Sequence, residues 1–149
     1  METAGRILGL DAGEKRIGVA ISDPGRRFAL PLRSIVIDGR DEVAAVEAIV
    51  RAEEVAEVVV GLPLSLSGQP SAQTGRARSF GERLERRLGL PVHFWDERLS
   101  TQEALRLGQE ARPERRRRRS RPAPVDADAL AASIILQAYL DKLRLEEGR

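Results

Sequence analysis

The fold is decided early in the chain, where residues 6–22 read RILGLDAGEKRIGVAIS. Residues 6–10 are largely apolar and lead into a glycine-containing segment, which is typical of a strand that runs into a turn. Residues 17–22 predict a second strand, and residues 28–37 predict a third, in which Pro31 marks a sheet edge or a bend. Three consecutive strands joined by tight turns predict an antiparallel meander.

Beyond residue 40 the pattern changes to alternating helices and strands. The run Val58-Val59-Val60 is too continuous for a strand with one buried face, so we expect it at the centre of a sheet covered by helices. In the final helix, Leu130, Ile134 and Ala138 are expected to form the apolar face. The predicted elements are a helix after Asp41, a strand over 55–62, a helix over 71–88, a strand over 91–95, a helix from Ser100 and a last helix over 126–143.

This order of elements defines the fold class. The series β-β-β-α-β-α-β-α-α predicts an α/β protein with a mixed five-stranded sheet flanked by helices, which is the ribonuclease H-like arrangement. A length of 149 residues suits one domain, so we expect a single domain over residues 1–149. That length excludes actin-like and sugar-kinase architectures, which join two such domains around a nucleotide.

The amino-acid composition excludes several kinds of catalytic and metal-binding site. Hydrophobic residues make up 42% of the chain and charged residues 32%, as in globular proteins. The absence of cysteine excludes a disulfide framework and a thiolate nucleophile, and the single histidine, His93, excludes multi-histidine metal sites. His93 and Trp95 share one face of their strand and are expected to pack or lie at the surface. No apolar run approaches the roughly 20 residues of a membrane span, so we expect a cytoplasmic protein without a membrane partner.

The positive charge is concentrated in one segment. Residues 112–121 hold seven arginines and one glutamate, a charge of +6, which leaves −4 for the remainder of a chain whose net charge is +2. Prolines bracket the segment and predict a flexible loop over about 112–124. The run Arg115, Arg116, Arg117, Arg118 and Arg119 is interpreted as a basic clamp on a sugar-phosphate backbone, and the alternative is a solvated charge run.

Three acidic residues lie where predicted elements begin or end. Asp11 closes the first strand, Glu97 follows the fifth, and Asp128 lies in the first turn of the last helix. Converging carboxylates repel one another, and divalent cations such as Mg²⁺ or Mn²⁺ remove that repulsion. Two such ions about 4 Å apart can hold a phosphodiester. Each residue also has a structural alternative: a turn former, a surface ion-pair partner or a helix N-terminal acid.

Four sequence motifs together resemble the YqgF family, also called RuvX or Holliday-junction-resolvase-like. They are GLDAGEKRIGVA at 9–20, VVGLPL at 59–64 with Gly68, DERLSTQEA at 96–104, and residues 125–140. The resemblance implies a metal-binding, catalytic triad of Asp11, Glu97 and Asp128. It places the third aspartate nine residues before Gln137, which favours Asp128 and leaves Asp126 as a helper ligand.

Several neighbouring residues are candidates for holding the substrate. Lys15 and Arg16 lie in the turn next to Asp11, where they can contact a phosphate or remain solvated. Arg98, beside Glu97, can grip a phosphate with two hydrogen bonds or orient the glutamate. Gly13 and Gly18 either allow a backbone to approach a phosphate or simply make a tight hairpin, and Ser100 and Thr101 are interpreted as helix caps.

The sequence therefore predicts a divalent-metal-dependent nuclease, a phosphodiester hydrolase that acts on structured nucleic acid. The family resemblance implies processing of the 5′ end of pre-16S rRNA during ribosome biogenesis, with ribosomal precursor particles as partners. Resolution of branched DNA by the same site is the alternative, and it requires a symmetric homodimer. A third hypothesis is a nucleic-acid-binding assembly factor whose carboxylates only stabilise the fold.

Overall fold

The first three strands form the predicted meander. The computed structural model describes residues 5–39, 41–65, 67–99 and 126–147. Strands β1 (Arg6–Ala12), β2 (Arg16–Ser22) and β3 (Ala29–Val36) pair antiparallel in sequence order. Pro31 lies on the edge strand β3, and the β2–β3 register slips where it pairs with Ala20. Of the two alternatives for this proline, a sheet edge or a bend, the edge is confirmed.

The remaining elements complete a mixed sheet with the strand order β3-β2-β1-β4-β5. Strand β4 runs parallel to both of its neighbours, β1 and β5. The predicted α/β class and five-stranded sheet are confirmed, while the helix expected from Ser100 and the arginine loop of about 112–124 lie outside the described residues. The elements after the meander are α1 (Glu42–Ala52), β4 (Val55–Leu62), α2 (Ala72–Leu88), β5 (Val92–Asp96) and α3 (Ala127–Glu147).

Helix boundaries follow the sequence signals closely. The Asp41 side chain accepts hydrogen bonds from the backbone N–H groups of Val43 and Ala44, and so caps α1. Ser71 and Thr74 form a reciprocal capping box at the start of α2. Gly89 ends the same helix with φ +69°, a left-handed conformation that glycine adopts readily.

The core has two layers, one on each face of the sheet. On one face, side chains of β1, β2 and β4 pack with α1 and α2, and on the other Ile7, Ala20 and Val59 pack against α3. Val58, Val59 and Val60 are all fully buried, so β4 is the central, doubly covered strand that its apolar run predicts. Within the described ranges, no helix is long and apolar enough to cross a membrane.

Helix α3 differs from its prediction in length and in the face that it buries. It extends to Glu147, and Leu130 is 46% exposed, so the expected Leu130–Ile134–Ala138 face is wrong. The buried residues are Ala129, Ala132, Ser133, Ile135, Leu136, Tyr139 and Leu140. The reason lies in the sheet, where Gly9 has no side chain. A Cβ built on Gly9 would be 2.7 Å from the Leu136 Cβ, so α3 packs the side that carries Ala132 and Leu136 against this glycine.

The turn between β2 and β3 depends on one carboxylate. Asp23 accepts hydrogen bonds from the backbone N–H groups of Arg27 and Phe28, both at 2.8 Å, and of Gly25 at 3.2 Å. These bonds, with the one from Phe28 foremost, hold the pKa of Asp23 below its ordinary value of 3.8. The ionised form is thus bound more favourably in the folded chain than in the unfolded one.

Replacing Asp23 with alanine is expected to lower the Tm by a few degrees at pH 7. Because the folded pKa is depressed, the stabilisation is present above the ordinary pKa of 3.8 and is lost as the pH falls through the folded value. The difference in Tm between wild type and Asp23→Ala, measured by circular dichroism from pH 7 to pH 2.5, should therefore shrink below about pH 4. A difference that stays constant over that range contradicts the assignment.

Candidate metal-dependent nuclease site

Two of the predicted carboxylates meet at one end of the sheet. Asp11 lies near the end of β1 and alternates with the buried Leu10, so it faces the α3 side of the sheet. Glu97 directly follows β5. Although β4 separates β1 from β5, the side chains of Asp11 and Glu97 share a hydrogen bond.

The two carboxyl groups perturb each other. Burial is the main cause that raises the pKa of Glu97 to about 8, and the neighbouring charge of Asp11 adds to it. Burial also raises the pKa of Asp11, and the charge of Asp128 acts in the same direction, while the hydrogen bond with Glu97 opposes the rise. Because the two carboxyl groups are this close, one proton shared between them is favoured over the ionisation of both.

The third predicted carboxylate, Asp128, has a different partner. Its Oδ2 accepts a hydrogen bond from Arg16 Nε at 2.7 Å, and Ser34 Oγ lies 3.5 Å from the same oxygen. The group still lies close enough to Asp11 to raise its pKa. No role is predicted for Ser34 from the sequence, and Arg16, expected to hold a phosphate, binds Asp128 here.

Asp126 acts as the N-cap of α3. Its Oδ1 accepts from the backbone N–H groups of Asp128 at 2.9 Å and Ala129 at 3.2 Å. Hydrogen bonds, with the one from Ser34 foremost, lower its pKa. These contacts match the helix-terminus alternative for Asp126, and its role as a helper metal ligand stays a prediction.

The start of α3 reaches Asp11 because of Gly18. This glycine of β2 is the register partner of Asp11, and a Cβ on it would lie 1.9 Å from the carbonyl oxygen of Asp128. The close approach expected at Gly18 is thus made by a helix backbone of the protein itself. Gly13 belongs to the hairpin turn, where its N–H donates to the carbonyl of Arg16 at 2.9 Å.

The structure does not bring the three predicted carboxylates together into one metal-binding group. Within the described ranges, no three Asp, Glu or His side chains come together closely enough to hold a metal ion. Physical chemistry accounts for this arrangement, because a third carboxylate beside Asp11 and Glu97 would add to their repulsion, whereas Arg16 neutralises it. The site is a carboxylate pair with Asp128 held next to it by an arginine.

Arg98 is bound by Asp96, for which no role is predicted from the sequence. Its Nε donates to both carboxylate oxygens of Asp96 at 3.0 Å, and its backbone N–H also donates to Asp96. The hydrogen bond with Arg98 lowers the pKa of Asp96. The guanidinium lies against the loop before α2, 3.4 Å from the position of a Cβ on Gly68. In the sequence, the only signal for the contact between Asp96 and Arg98 was that both residues belong to the motif Asp96-Glu97-Arg98.

The remaining candidates fall into two groups. Lys15 is exposed in the β1–β2 turn, as expected for a residue that contacts substrate or solvent. Ser100, Thr101 and the run Arg115–Arg119 lie outside the described residues. For His93, which is expected to pack or to lie at the surface, both descriptions apply. Its side chain is 41% exposed, hydrogen-bonds Glu57 at 3.1 Å and stacks on Tyr139 with ring centroids 5.6 Å apart.

The fold matches solved structures of one type. Thermus thermophilus RuvC in complex with a Holliday junction substrate superposes with a TM-score of 0.66 at 16% identity, covering 95% of this chain and 96% of that one. A second Thermus thermophilus RuvC structure gives a TM-score of 0.57 at 17% identity, with coverage of 93% of this chain and 96% of that one. The fold is ribonuclease H-like, and two acidic side chains are paired at one end of its sheet.

Sequence comparison narrows this class further. The sequence model of the RuvX family, described as Holliday junction resolvase, matches residues 5–142. Relatives named "Putative pre-16S rRNA nuclease" include one from Koribacter versatilis, 42% identical over 93% of this chain and 88% of its own length. Another, from Moorella thermoacetica, is 45% identical over 93% and 96%. The chain belongs to the RuvX family.

Proposed function

We propose that this protein is a divalent-metal-dependent nuclease that processes the 5′ end of pre-16S rRNA in the cytoplasm, on ribosomal precursor particles. The observation that carries the proposal is the hydrogen-bonded, half-buried pair of Asp11 and Glu97 in a RuvX-family chain. Two ionised carboxylates this close repel each other, and either a shared proton or a bound cation relieves that repulsion, so the pair is a suitable place for a divalent ion. Family membership supports the choice of RNA through the names of the relatives.

The donor set fits Mg²⁺ or Mn²⁺. Both ions prefer hard oxygen ligands, and Asp11, Glu97 and Asp128 supply only carboxylate oxygens. We assign Asp11 and Glu97 as the residues that hold the metal, Asp128 as the third ligand, and Asp126 as a helper. When bound, one or two such ions supply Lewis-acid stabilisation of the charge that develops on a phosphodiester.

The basic residues around the pair are assigned to the substrate. Lys15, at the exposed turn beside Asp11, and Arg98, across from it, can hold phosphates on either side of the reacting group. Asp96 accepts two hydrogen bonds from Arg98 Nε and so sets the orientation of the guanidinium beside Glu97. The run Arg115–Arg119 extends the same interaction along the backbone without sequence choice, which predicts salt-dependent binding.

The proposal is tested by cleavage of two labelled substrates, a precursor-rRNA 5′ leader and a four-way DNA junction, in Mg²⁺, Mn²⁺ or EDTA. The Asp11→Asn variant serves as the negative control. We expect metal-dependent cutting of the RNA at its leader and none in EDTA. Preferential cutting of the junction, together with a dimer in sedimentation, would replace rRNA processing with junction resolution. Binding without cleavage of either substrate would support a non-catalytic assembly factor.

Replacing Arg16 with alanine is expected to tighten Mn²⁺ binding. In the metal-free chain the guanidinium neutralises Asp128, so an incoming cation has to displace it. An exposed ion pair contributes at most about 1 kcal/mol, which limits the gain in affinity to about fivefold. In the wild type, an Arg16 side chain displaced from Asp128 by the cation can contact a phosphate of the substrate. Arg16→Ala loses this contact, so the variant should show a higher KM for nucleic acid.

Isothermal titration of metal-free protein with Mn²⁺ measures this effect. The matched control is Arg76→Ala, which breaks another exposed pair, with Glu14 at 3.3 Å, and should leave the Mn²⁺ affinity unchanged. Weaker binding in Arg16→Ala would mean that the arginine helps to assemble the metal site instead of competing for it.

A further inference from the structure

Glu97 reaches Asp11 by crossing a strand. The two residues belong to the ends of β5 and β1, and β4 lies between these strands in the sheet. Gly61 is the β4 residue that pairs with Trp95 and follows Val60, the register partner of Leu10. It therefore lies in the sheet at the level of the carboxylates.

The space above Gly61 is filled by the Glu97 side chain. A Cβ built on Gly61 would lie 2.7 Å from Glu97 Oε2 and 3.0 Å from Glu97 Cγ. It would also lie 2.7 Å from Ile135 Cδ1, on the α3 side of the sheet. Approaches under 3.0 Å require a neighbouring atom to move, so even the smallest side chain at this position would displace the glutamate.

We propose that Gly61 is a positioning residue of the site, whose missing side chain lets Glu97 cross β4 and meet Asp11. The inference deepens the proposed function, because it names what brings the two carboxylates together. Gly61 itself touches neither metal nor substrate in this assignment; it acts through Glu97.

The atoms involved separate this role from a purely structural one. The atoms that a Cβ on Gly61 would meet, Oε2 and Cγ of Glu97 and Cδ1 of Ile135, all belong to side chains, which can change rotamer while the backbone stays in place. Substitution by alanine should therefore disturb the site much more than the fold. At Gly18, in contrast, the clash is with backbone atoms, which cannot rotate away.

The experiment compares Gly61→Ala with Gly81→Ala. A Cβ on Gly81 would lie 2.5 Å from Phe94 Cε1, a comparable clash on the opposite face of the sheet and away from the carboxylates. Crystal structures of wild type and both variants give the contact between Glu97 and Asp11, and titration with Mn²⁺ gives the affinity. The Mn²⁺ titration is repeated with Glu97→Ala alone and with the double variant that carries both Gly61→Ala and Glu97→Ala.

We expect Gly61→Ala to turn Glu97 away from Asp11 and to weaken Mn²⁺ binding about tenfold or more, the range found for residues that orient metal ligands. Gly81→Ala should leave both the contact between Glu97 and Asp11 and the Mn²⁺ affinity unchanged. In the Glu97→Ala background, Gly61→Ala should have no further effect on affinity, because there is no carboxylate left to displace.

The proposal is overturned if Glu97 still contacts Asp11 in the Gly61→Ala structure, or if the loss of affinity is the same with and without Glu97. Its failure is distinct from that of the proposed function. If wild type binds no Mn²⁺, the metal-dependent nuclease is refuted, while the crystal structures still decide whether Gly61 positions Glu97.

Discussion

Replacing Gly18 with alanine is expected to lower the free energy of unfolding by about 3 kcal/mol, at the upper end of overpacking effects. The new Cβ would lie 1.9 Å from the carbonyl oxygen and 2.4 Å from the carbonyl carbon of Asp128. Both are backbone atoms in the first turn of α3, so the start of the helix has to lift from β2. Asp128 and its partner Arg16 would separate with it.

Thermal and urea denaturation measure this loss. For a chain of this size, about 3 kcal/mol corresponds to a decrease in Tm of roughly 6–12 °C. The matched control is Gly75→Ala in α2, where a Cβ meets nothing within 4 Å. That substitution should raise the Tm slightly, since alanine is favoured over glycine in a helix by up to about 1 kcal/mol. Equal changes in Tm for the two substitutions would contradict the inference that the start of α3 packs directly on Gly18.

The parts of the fold that could be predicted are those set by neighbours in sequence. The bounds of β4 follow from its apolar run, and the ends of α2 follow from Ser71 and Gly89, whose signals lie within a few residues of the boundary. The buried face of α3 could not be predicted in the same way. Apolar residues lie on more than one side of this helix, and the choice among them is made by Gly9 on a strand more than a hundred residues earlier.

In the site, too, some features are set by neighbours in sequence and others by residues far away in the chain. Asp11 and Glu97 could be placed at the ends of their strands from local pattern, but their contact depends on strand order and on the missing side chain of Gly61. The ion pair of Asp128 with Arg16 joins residues 112 positions apart, and no local pattern encodes it. Sequence therefore identified the acidic residues, while their partners required the three-dimensional arrangement.

Replacing Asp11 with asparagine is expected to reduce cleavage by about 10³-fold, which corresponds to roughly 4 kcal/mol of lost transition-state stabilisation. Asparagine keeps the shape of the side chain and removes the charge that the cation requires. Asp141→Asn, a change on the exposed side of α3 far along the helix from Asp128, should leave the rate unchanged. Comparable cleavage by wild type and Asp11→Asn would remove Asp11 from the catalytic site.

The same substitution should stabilise the metal-free protein, which distinguishes a catalytic carboxylate from a structural one. Burial raises the pKa of Asp11 and, with the charge of Asp11, that of Glu97 from 4.5 to about 8. Because a raised carboxyl pKa favours the protonated folded state, its contribution is complete below the ordinary pKa and is lost as the pH rises through about 8. In EDTA, the Tm of wild type should therefore fall between about pH 5 and pH 9.

Asp11→Asn removes one source of that dependence, so its Tm should exceed that of wild type by a growing margin as the pH rises in EDTA. Mn²⁺ should reverse the order, because a ligand that binds only the folded state raises its stability, and the variant has lost a metal ligand. Differential scanning calorimetry at pH 6, 7.5 and 9, with EDTA or Mn²⁺, measures both effects. If Asp11 served only the fold, its replacement would lower the Tm in EDTA at every pH, and Mn²⁺ would not change the order.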